Sequence, residues 1–515
     1  MYTAHTAAAM AIGYDMTYDY LSRLDNIENR DKIVHAIYEK AIEPFLAYHR
    51  ADDRLGWSYR SDNWNMICNG GVGLACLAIG DIDAYRDNCS IALNYALRGI
   101  RLVAEYFAPE GAWTEGFNYY PYMMRHGTDF FAALINTLGD DYGYRDFSGM
   151  NASAIDSIVL GGSKYMYAYS DAPMTPVKGA PVMIYFAKYL DMPELGYYRR
   201  TQFEEKYAQV EANILKASEL QSVLNFRDLI WYDTDYKNLP ENAGKPGFDD
   251  AYGLPLDFCY RGTGIVAMHS DYGDTQAFAA ANFGKNNDWH NHTDMGGFVY
   301  ESQGEQWFIE LGFVDYNYQD NFNDLRYRNK PEGHNCMIFN PTGSDDYDQI
   351  LAAEGKLAEE PVFGDAESYF VMDISSAYAD RLNSYKRLIY LDKNTQGFAV
   401  KDKFTFKHED SEYYWFAHTK AQIEISEDKK SAILTQNGKK LKVCVDNGEF
   451  TQMQAERLAP FSTSSVLSPD PANAGVTKLS VHAIGQSGTC EITVTAVPLD
   501  SNGSGSLPDI SHIDF

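Results

Sequence analysis

Three potential metal ligands occur within one stretch of the chain, between Asn286 and Asn335. They are His292, Glu310 and His334. Two histidines and a carboxylate form one of the ligand sets that zinc accepts, with a fourth position left open. The alternative is that the glutamate is a solvent-facing strand residue and that the histidines lie in loops. The spacing therefore predicts a zinc site but does not exclude ordinary surface residues.

A β-hairpin would gather these ligands. The residues on either side of Gln303 and Gly304 alternate between apolar and polar, and these two residues suit the centre of a tight turn. This register predicts that Glu310 pairs with Gly297, where the missing side chain leaves room for a carboxylate to turn toward a metal. The predicted strands are residues 297–301 and 306–311.

A second group of polar and aromatic residues lies in the N-terminal half. Asn63 and Asn65 flank Trp64 at the start of an apolar helix, where uncharged amide donors could meet an anion. Capping of that helix is the alternative role. Another helix begins after an aromatic segment, and each tyrosine there could equally be a core residue in a chain with 39 tyrosines. These tyrosines are Tyr119, Tyr120 and Tyr122.

These segments resemble the heparinase II/III-like polysaccharide lyases. HNHTDMGGFVYESQGEQWFIELG, followed by YRNKPEGHN, is similar to that family's His-x-His-x-Asp motif, hairpin and later His-Asn. The resemblance implies a zinc bound by His292, Glu310 and His334, with Asp294 orienting one of the histidines; the family more often has Asp where this chain has Glu310. It also implies a fold: an α+β multidomain chain with an incomplete α/α toroid followed by an antiparallel β-sandwich.

The N-terminal segments are similar to the same family, which has an Asn-containing motif and then a Glu-Gly-x-x-Tyr motif bearing the catalytic tyrosine. The resemblance implies Asn63 and Tyr119 as catalytic residues. Several relatives have a histidine directly after the Asn, where this chain has Trp64, so no histidine base is implied there. His290 is the candidate for assisting proton transfer, and its alternative role is to pair with a carboxylate or backbone carbonyl.

The implied activity is β-elimination at a uronic acid, which leaves 4,5-unsaturated ends. Neutral or cationic donors such as Asn63 must offset the charge of the uronate carboxylate before its neighbouring proton becomes acidic. A base then takes the C5 proton and an acid protonates the leaving oxygen; Tyr119 is predicted to do both. The substrate would be a glycosaminoglycan or an alginate-like polymer. The predicted substrate-binding residues are Asn65, Trp64, Tyr120, Tyr122, Tyr316, Tyr318 and Arg326.

Two other functions stay open. One is a glycoside hydrolase on a helical toroid, with Glu115 and Asp129 as its acid and base. The other is a non-catalytic glycan-binding relative. Trp64 favours this alternative, because it stands where several relatives have a histidine. Analysis of the products would separate the three functions, because only elimination creates an ultraviolet-absorbing double bond.

The net charge of −29 excludes some partners. Nucleic acid and an anionic membrane surface would both be repelled. An anionic polysaccharide would be repelled too, unless basic residues are concentrated at its site. Arg326, Arg328 and Lys330 are candidates for such local charge, and a solvated loop is the alternative.

The periodicity predicts the domains. The chain has 515 residues, 45% of them hydrophobic, which suffice for two or three domains. Apolar residues recur at helical spacing first and at strand spacing later. The predicted division is a helical domain at 1–235, a linker at 236–260, a β-sandwich at 261–500 and a loose tail at 501–515. Resemblance to the lyases suggests that one or two toroid helices precede this chain.

Seven cysteines are scattered without a CxxC pair, which favours buried thiols over disulfides or a thiolate metal site. Neither a signal peptide nor a membrane-spanning run is recognisable. We therefore expect the chain either to work where it is made or to have lost an export signal.

Overall fold

The computed structural model divides into two units. The helical unit comprises Met1–Trp113, Asn118–Asp156 and Gly179–Pro240, and the β unit comprises Thr114–Phe117, Ser157–Lys178 and Glu241–Phe515. The structure describes all residues except 1, 24, 52–55, 145–149, 151, 175–181, 213–224, 239–253, 314–326, 342–347, 455–472 and 474. The single boundary predicted near residue 235 therefore misses two excursions of the N-terminal half into the β unit.

The helical unit contains the helices expected from the spacing of its apolar residues. In chain order they are α1 (Tyr2–Met16), α2 (Tyr18–Leu21), α3 (Ile27–Ile37), a π-helical turn (Tyr38–Ile42), α4 (Glu43–Arg50), α5 (Asn63–Ile79), α6 (Arg86–Ala104), α7 (Tyr119–Leu138), α8 (Asp156–Val159), α9 (Met183–Tyr189), α10 (Pro193–Glu211) and α11 (Phe226–Trp231), with α8 running into the β unit. Within the described residues, no helix is both long and apolar enough to cross a membrane.

Helix α5 is the centre of this unit. It is preceded by Asp62, whose side chain accepts a hydrogen bond from the backbone N–H of Trp64 at 3.2 Å. The N-cap is therefore Asp62, and neither neighbouring asparagine has that role. Small residues let other helices approach closely, since a Cβ at Gly73 would lie 2.3 Å from the ring of Phe130 on α7. The result is a tightly packed pair of helices, α5 and α7.

The β unit consists of antiparallel strands in three sheets. The strands are β1 (Asp257–Tyr260), β2 (Ile265–His269), β3 (Phe278–Asn282), β4 (Phe298–Ser302), β5 (Glu305–Phe308), β6 (Met337–Phe339), β7 (Lys356–Leu357), β8 (Val362–Phe363), β9 (Glu367–Asp373), β10 (Leu382–Asp392), β11 (Phe398–Phe406), β12 (Ser411–Thr419), β13 (Gln422–Ile425), β14 (Ser431–Gln436), β15 (Lys439–Asp446), β16 (Phe450–Gln454), β17 (Thr477–Gln486) and β18 (Thr489–Pro498). Five, nine and four strands form the three sheets.

One large apolar cluster joins these sheets. Strand β11 shows why, because its residues alternate between buried and half-buried positions from Val400 to Phe406, and Val400, Phe404 and Phe406 on the buried face belong to the cluster. Trp307 and Trp415 belong to this cluster and are fully buried. The tail is not loose: Ile510 and Ile513 are buried and pack with Val371, Leu388, Tyr390 and Ala399.

The β4–β5 hairpin has the predicted turn but a different register. Gln303 and Gly304 both have positive φ, as a two-residue hairpin turn requires. A bulge next to Glu301 then shifts the pairing by one residue, and β5 ends at Phe308. The predicted strand 306–311 is therefore too long, and Glu310 lies beyond the paired region.

The cysteines are free thiols, as predicted. Cys68, Cys76, Cys89 and Cys336 are buried, and the remaining three are half-buried.

Candidate active and metal site

Asp171 joins both histidines of the His-x-His motif. Its Oδ2 atom lies 2.6 Å from Nδ1 of His290, and its Oδ1 atom lies 3.1 Å from Nε2 of His292. The His290 backbone has a φ of +62° and its carbonyl accepts a hydrogen bond from the Ser170 hydroxyl at 2.7 Å. The contact partner of His290 is thus a carboxylate, the alternative role considered from the sequence.

The segment that carries Asp171 is held on the β unit by several hydrogen bonds. Glu301 of β4 accepts from the backbone N–H of Ser163 at 2.7 Å, and His269 of β2 contacts the Val159 carbonyl at 2.9 Å. Farther along, the N–H of Phe313 donates to the Ala172 carbonyl at 3.1 Å. These bonds place a residue from the N-terminal half of the sequence in the site.

A second carboxylate faces the other nitrogen of His290. Oε1 of Glu115 lies 3.4 Å from Nε2 of His290, and Glu115 is fully buried. The His290 side chain is 25% exposed, whereas that of His292 is only 2% exposed. His290 is therefore the histidine of the pair that a substrate can reach.

The residues that could hold a metal ion are His292, Asp294 and His334. Each offers a ligand atom within 4.8 Å of the others, and all three are buried. The predicted ligand Glu310 is adjacent, because its Oε2 atom lies 2.6 Å from Nδ1 of His334. Asp294 approaches the same nitrogen at 3.9 Å. The structure thus brings both predicted histidines together and adds Asp294 to the group.

Gly297 gives these carboxylates their space, although the predicted pairing with Glu310 is not present. A Cβ at Gly297 would lie 2.9 Å from the Asp294 carbonyl and 3.4 Å from Oε1 of Glu310. Asn282 donates to Oδ1 of Asp294 at 2.9 Å and orients that carboxylate.

Asn335 and Arg387 fix the backbone around the group. The amide of Asn335 donates to the carbonyls of Phe298 and Ile309 at 2.7 and 3.1 Å, which ties both strands of the hairpin to the residue after His334. Arg387 is fully buried and donates to the Asn335 carbonyl at 2.9 Å. Because these groups are buried and hydrogen-bonded, the ligand backbone is rigidly held.

The electrostatics of the group suit a cation. Burial lowers the pKa of His334, but the carboxylates of Glu310 and Asp294 outweigh it and raise that pKa to about 9. Two further imidazole nitrogens, Nδ1 of His292 and Nε2 of His334, are buried without a hydrogen-bond partner among the described residues. Two imidazoles and two carboxylates are ligands that zinc accepts, so the residues present fit this ion.

The asparagines predicted to bind substrate differ from each other. Asn65 is fully buried, and its amide donates to the carbonyls of Ser58 and Arg60 at 3.1 and 2.7 Å. Its oxygen accepts from Asn69 at 2.8 Å. The amide is therefore used within the helical unit, which favours a structural role for Asn65. Asn63 is buried at the first position of α5.

Trp64 is 40% exposed, and the Arg60 guanidinium lies 5.6 Å from its ring centroid. An exposed indole beside a cation is a suitable surface for stacking on a sugar.

The three tyrosines of α7 have three environments. Tyr120 is buried and donates to the Ser153 carbonyl at 2.6 Å, which favours a core role over the predicted contact with substrate. Tyr122 is half-buried, and its hydroxyl lies 2.7 Å from Nε2 of His5. Tyr119 is half-buried at the first position of the helix. Of the predicted residues, Tyr316, Tyr318 and Arg326 lie outside the described residues.

Two of the three cations proposed for the loop before His334, Arg328 and Lys330, are engaged in structural contacts. Arg328 donates to Asn473 at 3.0 Å and to the Leu311 carbonyl at 2.9 Å, and Lys330 forms an ion pair with Asp348. These contacts favour a structural role over the binding of a uronate or sulfate.

Sequence reasoning missed Asp171 as a partner of the histidines. A lone aspartate in the aromatic and small-residue segment YMYAYSDAP was the available signal, because a carboxylate that lies among apolar residues needs a partner when the chain folds. Neither spacing nor periodicity could supply that partner, since it lies 119 positions away.

Comparison with known proteins agrees with this architecture. Residues 258–494 match the model of the family described as heparinase II/III-like, C-terminal, and this match confirms the resemblance seen in the sequence. No curated protein matches the chain by sequence.

Three similar solved structures are described as heparinase III or heparan sulfate lyase. A crystal structure of heparinase III has a TM-score of 0.63 at 13% identity, over 98% of this chain and 69% of its own. A structure of heparinase III with methylated lysines has a TM-score of 0.62 at 12% sequence identity, and the match covers 96% of this chain and 66% of the heparinase chain. A crystal structure of heparan sulfate lyase from Pedobacter heparinus has a TM-score of 0.61 at 12% sequence identity, and the match covers 97% of this chain and 76% of the lyase chain. These likenesses confirm the predicted fold class, an incomplete α/α toroid followed by an antiparallel β-sandwich.

Proposed function

We propose that this protein is a polysaccharide lyase that cleaves a uronate-containing polysaccharide by β-elimination and leaves 4,5-unsaturated ends. The observation that carries the proposal is the placement of His290, which is reachable from solvent and held by Asp171, beside the group of His292, Asp294 and His334. This arrangement lies in the β unit, and its histidines fall inside the region that matches the heparinase II/III-like family. Similar proteins are described as heparinase III and heparan sulfate lyase.

In this proposal His290 assists proton transfer and Tyr119 is both base and acid. The carboxylate of Asp171 accepts from Nδ1 of His290 and fixes the orientation of the ring, so proton exchange falls to Nε2, which faces Glu115 at 3.4 Å. Asn63 offsets the charge of the substrate carboxylate, and Trp64 stacks on a sugar.

We expect digestion of a uronate polymer to create ultraviolet absorbance from the new double bond. The panel is heparan sulfate, hyaluronan, chondroitin sulfate and alginate, with an uncharged glycan as the negative control. His290→Ala should lower the rate, whereas His482→Ala, which changes a more exposed histidine of the same unit, should not. Flat absorbance on every uronate polymer, together with cleavage of the uncharged glycan, would contradict the proposal.

The contacts of Asp129 oppose a glycoside hydrolase that uses this residue. Asp129 is buried, and Nε of Arg227 donates to its Oδ1 at 2.6 Å while a second guanidinium nitrogen pairs with Oδ2. A carboxylate held on both oxygens is poorly placed to protonate a glycosidic oxygen or to activate water.

The metal of this proposal is zinc, held by His292, Glu310 and His334, with Asp294 close enough to be the fourth ligand. Four protein ligands make a closed, structural site. The ion would join the β4–β5 hairpin to the loop that carries His334, and His290 would keep its position because it is two residues from a ligand.

A further inference from the structure

Four side chains form one cluster on helices α1 and α7 of the helical unit. They are His5, Tyr122, Arg125 and His126. Nε2 of His5 lies 2.7 Å from the Tyr122 hydroxyl, and the Arg125 guanidinium lies over the Tyr122 ring, 4.7 Å from its centroid. The rings of His5 and His126 meet edge to face at 4.6 Å.

Arg125 supplies a positive charge that no carboxylate of the described residues contacts directly. Its guanidinium forms no ion pair with a carboxylate among the residues the structure describes, and it is half-buried. Arg227, whose guanidinium donates to the Arg125 carbonyl, is paired with Asp129 instead. An arginine held against a tyrosine and left without a carboxylate retains its capacity for an anion from outside.

His126 is a buried polar group of the same cluster. It is 6% exposed, and neither ring nitrogen has a hydrogen-bond partner among the described residues. Burial and the positive groups His5, Arg125 and Arg227 together lower its pKa to about 3, so the ring is neutral and one nitrogen carries a hydrogen to donate. Leaving such a group unsatisfied is costly, and native proteins rarely do so without a bound partner.

Positive charge lies close to both histidines of the cluster although the chain is acidic. The pKa of His5 is lowered by burial and then by Arg125. His5 and His126 thus both respond to nearby positive charge, in a chain whose net charge is −29. A polyanion can approach such a protein only where the local charge is reversed.

We infer that this cluster binds an anionic group of a saccharide, a carboxylate or a sulfate, with Arg125 as the cation and Tyr122, His5 and His126 as hydrogen-bonding partners. This inference rests on the proposed function, because it adds a binding site for the same polyanion. Metal binding does not explain the cluster, since these residues are not among the described groups of three ligands that could hold an ion.

The test is calorimetric binding to the full chain in a Tyr119→Phe background, which is expected to bind without rapid cleavage. The probes are a hyaluronan tetrasaccharide, which carries carboxylates alone, a heparan sulfate tetrasaccharide, which also carries sulfates, and neutral maltotetraose. Arg125→Gln should weaken binding of an anionic probe about tenfold or more and reduce its salt dependence. Arg125→Lys should retain part of the affinity. If Arg125→Gln loses affinity for both anionic probes, the bound group is a carboxylate. If it loses affinity for the sulfated probe alone, the bound group is a sulfate.

Arg23→Gln is the matched control. Arg23 also lies over a tyrosine, 5.6 Å from the ring centroid of Tyr20, so this change removes the same charge and the same kind of contact. It should leave affinity within about twofold, as for a surface charge. Tyr122→Phe removes a hydroxyl with little change of volume, and should weaken anionic binding severalfold if Arg125→Gln fails to fold.

The two proposals fail separately. Elimination products together with unchanged anionic binding in folded Arg125→Gln would overturn the anion site and leave the lyase proposal standing. Flat ultraviolet absorbance together with a selective loss of anionic binding in Arg125→Gln would overturn the lyase proposal and leave the anion site standing. Equal losses in Arg125→Gln and Arg23→Gln, or no anionic binding by the parent protein, would also overturn the anion site.

Discussion

Asp171 accepts a hydrogen bond from His290 at 2.6 Å, although 119 positions separate the two residues in the chain. The other oxygen of Asp171 contacts His292, so one carboxylate sets the orientation of the proposed proton-transfer histidine and of a proposed metal ligand. A carboxylate in this position fixes the tautomer and orientation of an imidazole.

Asp171→Asn should therefore lower turnover about tenfold to a hundredfold, the usual effect of losing the partner of a functional histidine. The amide keeps the size of the carboxylate but loses its charge and one acceptor. Initial rates over a range of substrate concentrations check this, and kcat should fall more than KM rises. Asp446→Asn, an exposed change in the same unit, is the control; equal rates in both variants would contradict the role of Asp171.

Tyr119→Phe and Tyr120→Phe should separate catalysis from stability. Loss of a hydroxyl that acts as both acid and base should lower turnover about a thousandfold or more, with little change in Tm. Tyr120→Phe should keep turnover but lower the free energy of unfolding by about 1–3 kcal/mol, because the buried Ser153 carbonyl loses its donor. Rates and urea unfolding of both variants test this. The assignment is wrong if Tyr119→Phe retains a tenth of the turnover.

Purified protein should contain about one zinc per chain, which elemental analysis measures. His334→Ala should lose most of it, because this imidazole faces both carboxylates of the group. His482→Ala should retain it. Comparing Glu310→Gln with Asp294→Asn then identifies the carboxylate ligand, and full zinc content in His334→Ala would exclude the site.

The metal-free protein should lose stability as the pH rises. The folded-state pKa of His334 is raised from 6.5 to about 9, so its protonated form stabilises the fold fully below about pH 6.5 and loses that contribution as the pH passes through 9. Thermal melts of chelator-treated protein between these values should show a falling Tm. Zinc-loaded protein should show a smaller decrease, because the bound imidazole is already neutral. A flat Tm without metal would contradict the pairing with Glu310.

Asp129→Asn should destabilise the helical unit rather than change the products. Removing one partner of a buried ion pair leaves the charge of Arg227 uncompensated, which costs about 3–5 kcal/mol. Any product formed should still carry the double bond. Products with reducing ends and no ultraviolet absorbance from the wild-type protein would instead support a hydrolase.

The sequence by itself determined the features that depend on local order. The spacing of apolar residues predicted helices first and strands later, and Gln303-Gly304 predicted the hairpin turn, because turns and amphipathic elements are set by neighbouring residues. The resemblance of short motifs placed His292 and His334 in one group, and the structure brings them together.

Only the tertiary structure decided which distant groups meet. The bulge near Glu301 shifts the hairpin register by one residue, and β5 ends before Glu310, so the predicted pairing of Glu310 with Gly297 is not present. The pairing of Asp171 with His290 depends on a segment held by the β sheets. Asp129 pairs with Arg227, so Arg125 has no carboxylate partner within the described part of the chain. Such pairings are chosen by the geometry of packing and by the cost of burying charge without a partner, neither of which is encoded in local spacing.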